Sequence, residues 1–482
     1  MLQIYEDHKN RLPYVRIKKM TLQNIKNVEK GTIDFNCAKE FIPYDTKSDI
    51  MGIYGQNGSG KTTLVQAIDM IKGIVSGYHL GKGYADYIDV AAEYGMITVE
   101  FDFQYLDGTV ATVSYEFKIQ AIEKEITSTD DDFGNDKKSK SIRIFDEVIK
   151  TDMYADGSIG RLHTIIDTGD KNSLLCTAGI EKYYFDDQDG KIREDLAYFK
   201  RKTLDDSQSF VFCNATTEIM NGRNTEENHT KYYEILAELN LYAEQFLFIV
   251  GTNSTGLVQL RAGIPIFVPE YRIPILLRES KILEIELYKR VETVFSVINM
   301  VIETVIPGLK LELETTATRT EKGEEGVYVS IFSVRGDRKF PFSYESDGVI
   351  KLVSIMACYV FAVSQGSATL VVDEIDSGVF EFMLGELLKV FEESGKGQLI
   401  FTSHNLRPLE VLDKKFIRFT TTNPKSRYYK IKGIGNTNNL RDTYLREIEL
   451  GNGNVEIYSK TRKFKIANAL RKAGKEVIKN VN

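Results

Sequence analysis

The sequence predicts an α/β fold with a mixed central sheet, an antiparallel N-terminal lobe and an inserted, partly helical middle region. The first observation is an apolar run at residues 50–54 that leads into a glycine-rich loop and then a helical segment at 63–68. The second is a pair of later apolar strands, at residues 369–372 and 398–402, each ending in polar residues. The third is period-two alternation at residues 95–103, which is typical of a half-buried antiparallel strand.

The composition is that of an ordinary globular protein. The chain has 482 residues, 42% apolar and 27% charged, enough for one large composite domain or a few smaller ones. Its net charge of −7 disfavours a uniformly basic nucleic-acid binder but is compatible with a local basic patch. Cys37, Cys176, Cys213 and Cys358 are scattered, so neither a zinc site nor a disulfide framework is expected.

Two features bear on location. The longest apolar run, residues 352–363, is too short to cross a bilayer. Residues 1–7 lack the charged-then-apolar layout of a signal peptide. We therefore expect a cytoplasmic protein with no membrane partner.

The first elements read as antiparallel hairpins. Short strands at residues 15–22 and 31–35 form one hairpin ahead of the glycine-rich loop. A second hairpin joins residues 95–103 to 111–119 through the turn at Asp107 and Gly108.

The middle of the chain is mixed in character. Residues 127–140 are acidic and then basic, which indicates a solvated loop. Apolar residues spaced by threes and fours predict helices at 231–249 and 283–305. Strands are expected again at 310–313 and 327–333.

The most specific signal is the loop Gly-Gln-Asn-Gly-Ser-Gly-Lys-Thr at residues 55–62. It matches the phosphate-binding pattern G-x-x-x-x-G-K-[ST] and stands between a predicted strand and helix. In such a loop the backbone N–H groups cradle phosphates, so a nucleoside triphosphate is the expected ligand. The residues expected to contact the nucleotide are Gly55, Asn57, Gly58, Ser59, Gly60, Lys61, Thr62 and Thr63.

A second carboxylate strand completes such a site in enzymes that hydrolyse the nucleotide. Residues 369–372 form a β-branched strand that ends in Asp373 and Glu374. We expect Thr62 and Asp373 to hold Mg²⁺, and Glu374 to polarise the attacking water. The alternative is a strand that merely ends in two solvated acids.

His404 follows the next apolar strand, residues 398–402. A neutral imidazole at a strand tip is able to hydrogen-bond the γ-phosphate or the attacking water. The alternative is a structural histidine. The remaining histidines show no metal-ligand spacing.

Ser346 and Gly348 open the apolar helix at residues 352–363. A helix start has free N–H groups and a favourable dipole, so it forms an anion site, and Gly348 permits close backbone approach. The alternative is simple helix capping by Ser346 or Asp347.

In this order the motifs resemble the ABC-type ATPase heads of the SMC, RecF and OLD families. The matching pieces are the hairpin with residues 22–26, the phosphate loop, a signature at residues 346–348, the acidic strand with Asp376 and Ser377 as a D-loop, and His404. More closely, residues 345–348 with Lys351, 402–405 and 440–445 resemble the stand-alone ATPases of bacterial anti-phage systems. These include the ATPase subunits of Septu and PARIS and the ATPase part of OLD nucleases.

The resemblance implies a two-lobed ABC-type P-loop ATPase head that uses ATP and Mg²⁺. One subunit's loop and another's signature would sandwich each ATP, so the chain would form a homodimer or higher oligomer, and turnover would be slow. Two departures stand out. The signature Ser-Asp-Gly differs from the transporter Leu-Ser-Gly-Gly-Gln, and neither Gln104 nor Gln208 is a convincing γ-phosphate-sensing glutamine.

We divide the chain accordingly into four segments. Residues 1–120 and 275–445 are the two halves of the ATPase head, residues 121–274 are an insertion or helical arm, and residues 446–482 are a basic tail.

The effector is expected to be a separate protein, because residues 420–482 contain no D-x-D pair for a Toprim-type nuclease. In the resembling systems it would be a nuclease. The basic tail either docks on a partner, contacts DNA phosphates, or packs on its own domain. The alternative function is a RecF- or SMC-like DNA-repair or DNA-clamp ATPase. A transporter head is disfavoured by the signature.

Overall fold

A computed structural model describes most of the chain. The described residues are 12–35, 43–44, 46–89, 91–125, 138–170, 174–176, 180, 190–223, 230–251, 263–267, 272–276, 280–430, 439–450, 456–459 and 462–481. The strands are β1 (Tyr14–Ile25), β2 (Val28–Asp34), β3 (Asp49–Tyr54), β4 (Gly95–Gln104), β5 (Val110–Glu125), β6 (Lys138–Met153), β7 (Ile159–Asp167), β8 (Leu247–Val250), β9 (Gly263–Phe267), β10 (Arg272–Leu276), β11 (Lys281–Glu284), β12 (Lys310–Arg319), β13 (Glu325–Arg335), β14 (Arg338–Pro341), β15 (Thr369–Val372), β16 (Gln398–Thr402), β17 (Ile417–Thr420) and β18 (Tyr428–Tyr429). The α-helices are α1 (Lys61–Val75), α2 (Gly190–Asp205), α3 (Asn214–Arg223), α4 (Lys231–Gln245), α5 (Ile285–Val305), α6 (Asp347–Ser364), α7 (Glu381–Ser394), α8 (Pro408–Val411), α9 (Leu440–Leu450) and α10 (Lys463–Val481).

The antiparallel lobe is a six-stranded sheet in the order β2-β1-β4-β5-β6-β7. Both predicted hairpins are present, and β4 pairs with β5 from Gly95 opposite Ile119 to Gln104 opposite Val110. Alternating apolar residues bury one face, as period two dictates. Beneath it packs α1, of which every residue but Thr62 is buried.

The second sheet has the order β18-β17-β3-β16-β15-β8. Strands β8, β15, β16, β3 and β17 run parallel, and their short sequences are continuously apolar, as parallel strands covered on both faces require. Because the strands are parallel, their carboxyl ends meet at one edge, with Thr402 opposite Ile53 and Val372 opposite Phe401. The two sheets confirm the predicted mixed α/β class with two lobes.

Arg16 joins the two sheets. Its buried guanidinium contacts the Asp49 carboxylate at 2.6 Å and the Gly366 carbonyl at 3.3 Å. Nearby, the Gln398 side chain accepts from Ile17 N–H at 3.1 Å and donates to the Ile17 carbonyl at 2.9 Å. Removing a partner would leave the buried Arg16 charge uncompensated, which strongly destabilises a protein. Arg16 therefore favours the arrangement of the two sheets in which these contacts are made.

The region from 121 to 274 differs from the expected insertion. Strands β6 and β7 extend the antiparallel sheet, and β8 joins the parallel sheet beside β15. The helix predicted at 231–249 ends at Gln245, because Leu247–Val250 is the β8 edge strand. The predicted loop at 127–140 gives way to β6 at Lys138, while residues 126–137 lie outside the described residues. The proposed division at residues 120 and 274 stays a prediction, but this middle segment contributes to both sheets.

A third sheet, β11-β13-β12 with β14 beside β13, packs with α5. The helix predicted from residue 283 begins at Ile285, because residues 281–284 pair with β13 as β11. The predicted strands at 310–313 and 327–333 are confirmed within β12 and β13, which are longer than expected.

Helix α6 is longer than the apolar run at 352–363 indicated. It spans 18 residues and, among the described helices, it alone is long and apolar enough to cross a membrane. Half of it is buried inside the protein. A buried core helix of a globular protein has the same length and apolar composition, so these two properties are weak evidence for a membrane segment.

Candidate nucleotide site

The phosphate loop leaves the end of β3 and enters α1. Gly58 and Gly60 adopt φ values of 75° and 93°, a left-handed conformation that glycine tolerates and other residues rarely do. A Cβ at Gly60 would also lie 3.0 Å from the Val28 side chain. The local backbone thus requires glycine at these two positions, as the motif predicts.

Two neighbouring segments hold the loop in shape. Ser59 Oγ donates to the Gln56 carbonyl at 2.6 Å and contacts the Thr420 hydroxyl, while Tyr428 Oη donates to the Gly60 carbonyl at 3.0 Å. Of the other predicted loop residues, Gly55 is buried against Thr420, Asn57 is exposed at the tip, and Thr63 donates to the Asn27 side chain at 2.9 Å.

Lys61 lies at the start of α1 and points back over the loop. Its Nζ donates to the carbonyls of Gly55 at 2.8 Å and Gln56 at 3.0 Å. Burial lowers the pKa of Lys61 to about 8, and the carboxylates of Asp373 and Glu374 oppose that shift. Phosphate oxygens at the loop would supply the negative charge that restores the ammonium form.

Asp373 is buried at the end of β15, beside the first turn of α1. Its Oδ1 accepts a hydrogen bond from Thr402 Oγ1 at 2.7 Å and lies 3.3 Å from Thr62 Oγ1. The structure therefore brings together the two residues that the sequence predicts as the metal site. The parallel register produces this proximity, because β15, β16 and β3 end at the same edge.

Mg²⁺ prefers oxygen ligands and keeps several waters or phosphate oxygens in its shell. The Thr62 hydroxyl and the Asp373 carboxylate fit that preference. In the part of the chain that the structure describes, no group of three His, Cys, Asp or Glu residues gathers as a metal site. A Mg²⁺ ion here would therefore draw its remaining ligands from the nucleotide and water.

Glu374 stands next to Asp373 in an uncommon backbone conformation. Its φ is 49°, the left-handed region that costs a non-glycine residue on the order of 1–2 kcal/mol. Its N–H donates to Thr402 Oγ1 at 2.7 Å, and its carbonyl accepts from Lys351 Nζ. These contacts hold the strained residue with its side chain half-buried.

His404 lies at the tip of β16, as predicted, and is solvent-exposed. Its backbone N–H lies 3.3 Å from both carboxylate oxygens of Asp376, which also accepts from Asn405 N–H at 3.1 Å. Although the residue as a whole is exposed, partial desolvation of the imidazole and the nearby Lys61 lower the pKa of His404 below its usual 6.5, so the neutral form predominates at pH 7. Asp376 thus ties the acidic turn to the histidine tip.

Ser346 and Gly348 lie at the start of α6. Ser346 caps the helix by accepting from Val349 N–H at 3.4 Å, and it is exposed. Gly348 packs directly on Gly378, where a side chain would overlap the Gly378 carbonyl. Among the described contacts, neither residue touches the phosphate loop of its own chain.

Several residues at the site were missed by sequence reasoning. Thr402 bridges Asp373 and Glu374, Asn27 contacts Gly58 and Thr63, and Lys26 donates to Gln66 at 2.9 Å from the β1–β2 turn. Thr402 and Lys26 lie in segments that carry the resemblance, at residues 402–405 and 22–26, but no local pattern assigned either of them, or Asn27, to the site. Gln104 and Gln208, by contrast, contact Tyr44 N–H and the Gly77 carbonyl and make no described contact with the site.

Comparison with known proteins agrees with this architecture. The family model described as an AAA domain matches residues 19–247, from β1 to the start of β8. No curated protein sequence matches the chain.

The solved structures to which the chain is similar include two SMC head domains and a recombination mediator protein. One is the Smc head domain with a coiled coil and joint from Pyrococcus yayanosii (11% identity, TM-score 0.39, 90% of this chain and 100% of that one). Another is the SMC head domain from Thermotoga maritima (16%, 0.33, 87% and 100%). A third is the recombination mediator RecF–ATP of the RecFOR pathway (13%, 0.33, 81% and 94%).

Likenesses of this strength carry no argument about partners or pathway. The AAA match is different in kind, because it includes the phosphate loop at residues 55–62 and most of the region in which the sequence shows no motif. On that match and on its P-loop geometry, the chain is an ATPase, and its residues 19–247 are similar to an AAA domain.

Proposed function

We propose that the chain binds and slowly hydrolyses ATP at a composite site between subunits and acts as the sensor or regulatory subunit of a cytoplasmic anti-phage defence complex. In this role it controls a separate effector protein, a nuclease. Nucleotide occupancy would bias a two-state association, so the ATPase works as a timed switch.

One observation carries the composite site. The start of α6 has the anion-binding form, yet Ser346 is exposed and its described contacts are with its own helix. An exposed helix start of this kind is available to the triphosphate bound on a second copy. Lys351, one turn further along α6, contacts the carbonyls of Asp373 and Glu374, so the same helix is fastened to the acidic strand of its own subunit.

The chemistry follows from the residues around the loop. Lys61 and the loop N–H groups bind the phosphates, and Glu374 accepts a proton from the attacking water. His404, neutral at pH 7, hydrogen-bonds the γ-phosphate or that water. When bound, Mg²⁺ at Thr62 and Asp373 would neutralise charge on the phosphate oxygens.

The defence role is supported by the resemblance of three short segments to the stand-alone ATPases of such systems. These are residues 345–348 with Lys351, residues 402–405 and residues 440–445. Two of these segments meet at the nucleotide site: Lys351 contacts the carbonyls of Asp373 and Glu374, and Asn405 N–H donates to Asp376. The separate effector rests on the same resemblance, which implies a nuclease on another polypeptide.

Glu374→Gln tests the mechanism. The variant should bind ATP normally, lose turnover and accumulate as an ATP-dependent oligomer, measured by phosphate release and light scattering. Ser346→Arg in the same background is the control, because it blocks the second half of the site and should abolish the oligomer while leaving ATP binding intact. Unchanged turnover in Glu374→Gln would remove Glu374 as the base. An effector would then be sought as a protein that copurifies stoichiometrically when the neighbouring genes are co-expressed.

A DNA-clamp ATPase is the second candidate, and the basic α10 favours it. That helix carries six Lys or Arg residues and one Glu. A clamp predicts ATP-dependent binding of duplex DNA that weakens steeply with salt. DNA binding that requires ATP, with no toxic partner, would replace the defence proposal.

A further inference from the structure

Two residues that no local pattern assigned to the nucleotide site differ in what they contact there. Ser459 N–H donates to the Gln56 side chain in the phosphate loop at 2.9 Å. Thr402, the last residue of β16, instead contacts Asp373 and Glu374, the acids expected to bind the metal and to activate water. A hydroxyl on the neighbouring strand is therefore placed to affect both acids.

The Thr402 hydroxyl has one proton, and its neighbours determine where that proton points. Oγ1 accepts a hydrogen bond from Glu374 N–H at 2.7 Å, because an amide nitrogen donates and does not accept. The hydroxyl proton is therefore directed to Asp373 Oδ1, which lies 2.7 Å away. Thr402 is completely buried, so bulk water does not compete for either bond. One threonine side chain thus joins the two acids.

The bond to Asp373 restricts the orientation of its carboxylate. Rotation of an aspartate about χ2 is broad, so a carboxylate without a fixed partner takes many orientations. Mg²⁺ demands near-ideal octahedral geometry, with ligand oxygens at about 2.0–2.1 Å. A carboxylate that is already oriented loses less freedom when the ion binds. Asp373 Oδ1 also lies 3.3 Å from Thr62 Oγ1, so its orientation sets the spacing between the two expected protein ligands.

The bond from Glu374 N–H stabilises an unfavourable backbone conformation. The φ of Glu374 is 49°, in the left-handed region, and such conformations persist only where their surroundings hold them. Thr402 holds the turn on either side of Glu374. Its hydroxyl accepts from Glu374 N–H, and its carbonyl accepts from Ile375 N–H at 3.0 Å. Loss of the hydroxyl would release the first of these two contacts.

We propose that Thr402 is a positioning residue for ATP hydrolysis. Its hydroxyl orients the Asp373 carboxylate for Mg²⁺ and fixes the backbone from which Glu374 reaches the attacking water. The inference rests on the roles of Asp373 and Glu374 in the proposed function, and it gives Thr402 no contact with the nucleotide. The structural alternative is that the hydroxyl only satisfies two buried polar groups, in which case its loss lowers stability and leaves Mg²⁺-dependent binding unchanged.

Thr369 provides a matched control, because it lies at the opposite end of β15 from the acids. It is also completely buried, and its hydroxyl also makes two hydrogen bonds. It accepts from Tyr242 Oη at 2.7 Å and donates to Gln398 Oε1 at 3.3 Å. Thr369→Val therefore removes a comparable pair of bonds from the same sheet without changing a contact of Asp373 or Glu374.

Nucleotide binding without turnover tests the orientation of Asp373. A fluorescent AMP-PNP is titrated into the full chain in Mg²⁺ and in EDTA, and the ratio of the two affinities gives the enhancement by Mg²⁺. Thr402→Val should reduce that enhancement at least about fivefold and leave the affinity in EDTA unchanged. Thr402→Ser keeps the hydroxyl and should stay within about twofold of the wild type. Thr369→Val should show the wild-type enhancement.

Turnover tests both bonds together. Thr402→Val should lower phosphate release at least about tenfold, because both acids lose a contact that fixes their position. Thr402→Ser should retain most of the turnover and Thr369→Val all of it, while urea unfolding compares the stability of the two valine variants. Equal losses of turnover in Thr402→Val and Thr369→Val would overturn the proposal, since destabilisation alone would then explain both.

Thr402→Ala is measured beside Thr402→Val, because it removes the hydroxyl without placing a methyl group against Glu374 N–H. It should show the same direction of change in both measurements and keeps the test decisive if Thr402→Val does not fold. Wild-type turnover with wild-type enhancement by Mg²⁺ in either folded variant would leave Thr402 a purely structural role.

Asp373→Asn separates this inference from the proposed function. If Asp373→Asn keeps the enhancement by Mg²⁺, the proposed metal site is wrong and the role of Thr402 fails with it. If Asp373→Asn loses the enhancement and Thr402→Val keeps it, the metal site stands and the positioning role is wrong. If both lose it, the double variant should bind no worse in Mg²⁺ than Asp373→Asn, because Thr402 acts on the metal through Asp373. A further loss in the double variant would contradict that route.

Discussion

The antiparallel sheet and the parallel sheet each contain a buried carboxylate, and the two carboxylates differ in their hydrogen-bond partners. In the antiparallel sheet, Glu147 on β6 is completely buried and accepts four hydrogen bonds: from Tyr115 Oη at 2.6 Å, Ser209 Oγ at 2.5 Å, Phe210 N–H at 2.8 Å and Val211 N–H at 3.3 Å. In the parallel sheet, Asp373 is equally buried, but its hydroxyl partners are Thr402 and, at 3.3 Å, Thr62.

The difference indicates two uses of a buried carboxylate. The partners of Glu147 lie on β5 and on the segment just before α3, and together they fasten that segment to the sheet. One partner of Asp373 is a hydroxyl at the nucleotide loop whose oxygen is also able to ligate a cation. We infer that Glu147 contributes to stability and that Asp373 contributes to ligand binding. The substitutions below test whether each carboxylate affects the free energy of unfolding or the ATP turnover.

Asp373→Asn should have a large effect on activity and a small one on stability. Loss of the carboxylate removes the charge that would hold Mg²⁺, and we expect ATP turnover to fall about a hundredfold or more. The free energy of unfolding should change by less than about 1 kcal/mol, because the amide oxygen still accepts from Thr402. Phosphate release measures the turnover, and urea unfolding measures the free energy of unfolding. Severe destabilisation would mean that Asp373 is structural, like Glu147.

Much of this site was predictable from sequence because its chemistry lies in short segments. The loop at 55–62, Asp373 with Glu374, and His404 each occupy one strand end, and parallel strands place such ends together. Thr402, Asn27 and Ser459 could not be assigned in the same way. Their contacts join positions up to 403 residues apart, and no local pattern encodes which distant partner a hydroxyl or amide will find.

The fold shows the same limit. Period-two alternation was sufficient to predict β4 and β5, and apolar residues spaced by threes and fours were sufficient to predict most of α5. The end of α4 was missed, because Leu247–Val250 continues an apolar run and only pairing with β15 makes it a strand. Tertiary pairing, not intrinsic propensity, decides whether such a short apolar segment forms a strand or a helix.

Glu147→Ala should have the largest effect on stability. It leaves buried donors on Tyr115, Ser209, Phe210 and Val211 without their acceptor, and we expect a loss of about 3 kcal/mol or more. Glu147→Gln is the control and should lower the free energy of unfolding by less, because the hydroxyl groups of Tyr115 and Ser209 are able to rotate and accept a hydrogen bond from the amide. Activity per folded molecule should be retained in both variants. A large loss of turnover at unchanged stability would contradict the structural assignment.

We expect Lys61 to take up a proton when the nucleotide binds. Burial lowers its pKa to about 8, so near pH 8.5 most of the free protein holds a neutral Lys61. Phosphate charge raises that pKa again, so binding should take up roughly 0.7 proton near pH 8.5 and little near pH 6.5. Titration calorimetry in buffers of different ionisation enthalpy measures this. His404→Ala should behave as the wild type at pH 8.5, because the pKa of His404 lies below 6.5. An absence of proton uptake would remove Lys61 as the linked group.

Glu374 offers the smallest and most specific test, because strain and function coincide in it. Its φ of 49° is tolerated better by asparagine than by glutamate. Glu374→Asn should therefore raise the free energy of unfolding by about 0.5 kcal/mol while abolishing turnover. Glu374→Gln, which keeps the longer side chain in the same backbone, should lose turnover without gaining stability. Equal stability of the two variants by urea unfolding would show that the backbone, rather than the residue type, sets the conformation at this position. The contacts from Thr402 and Lys351 would then account for it.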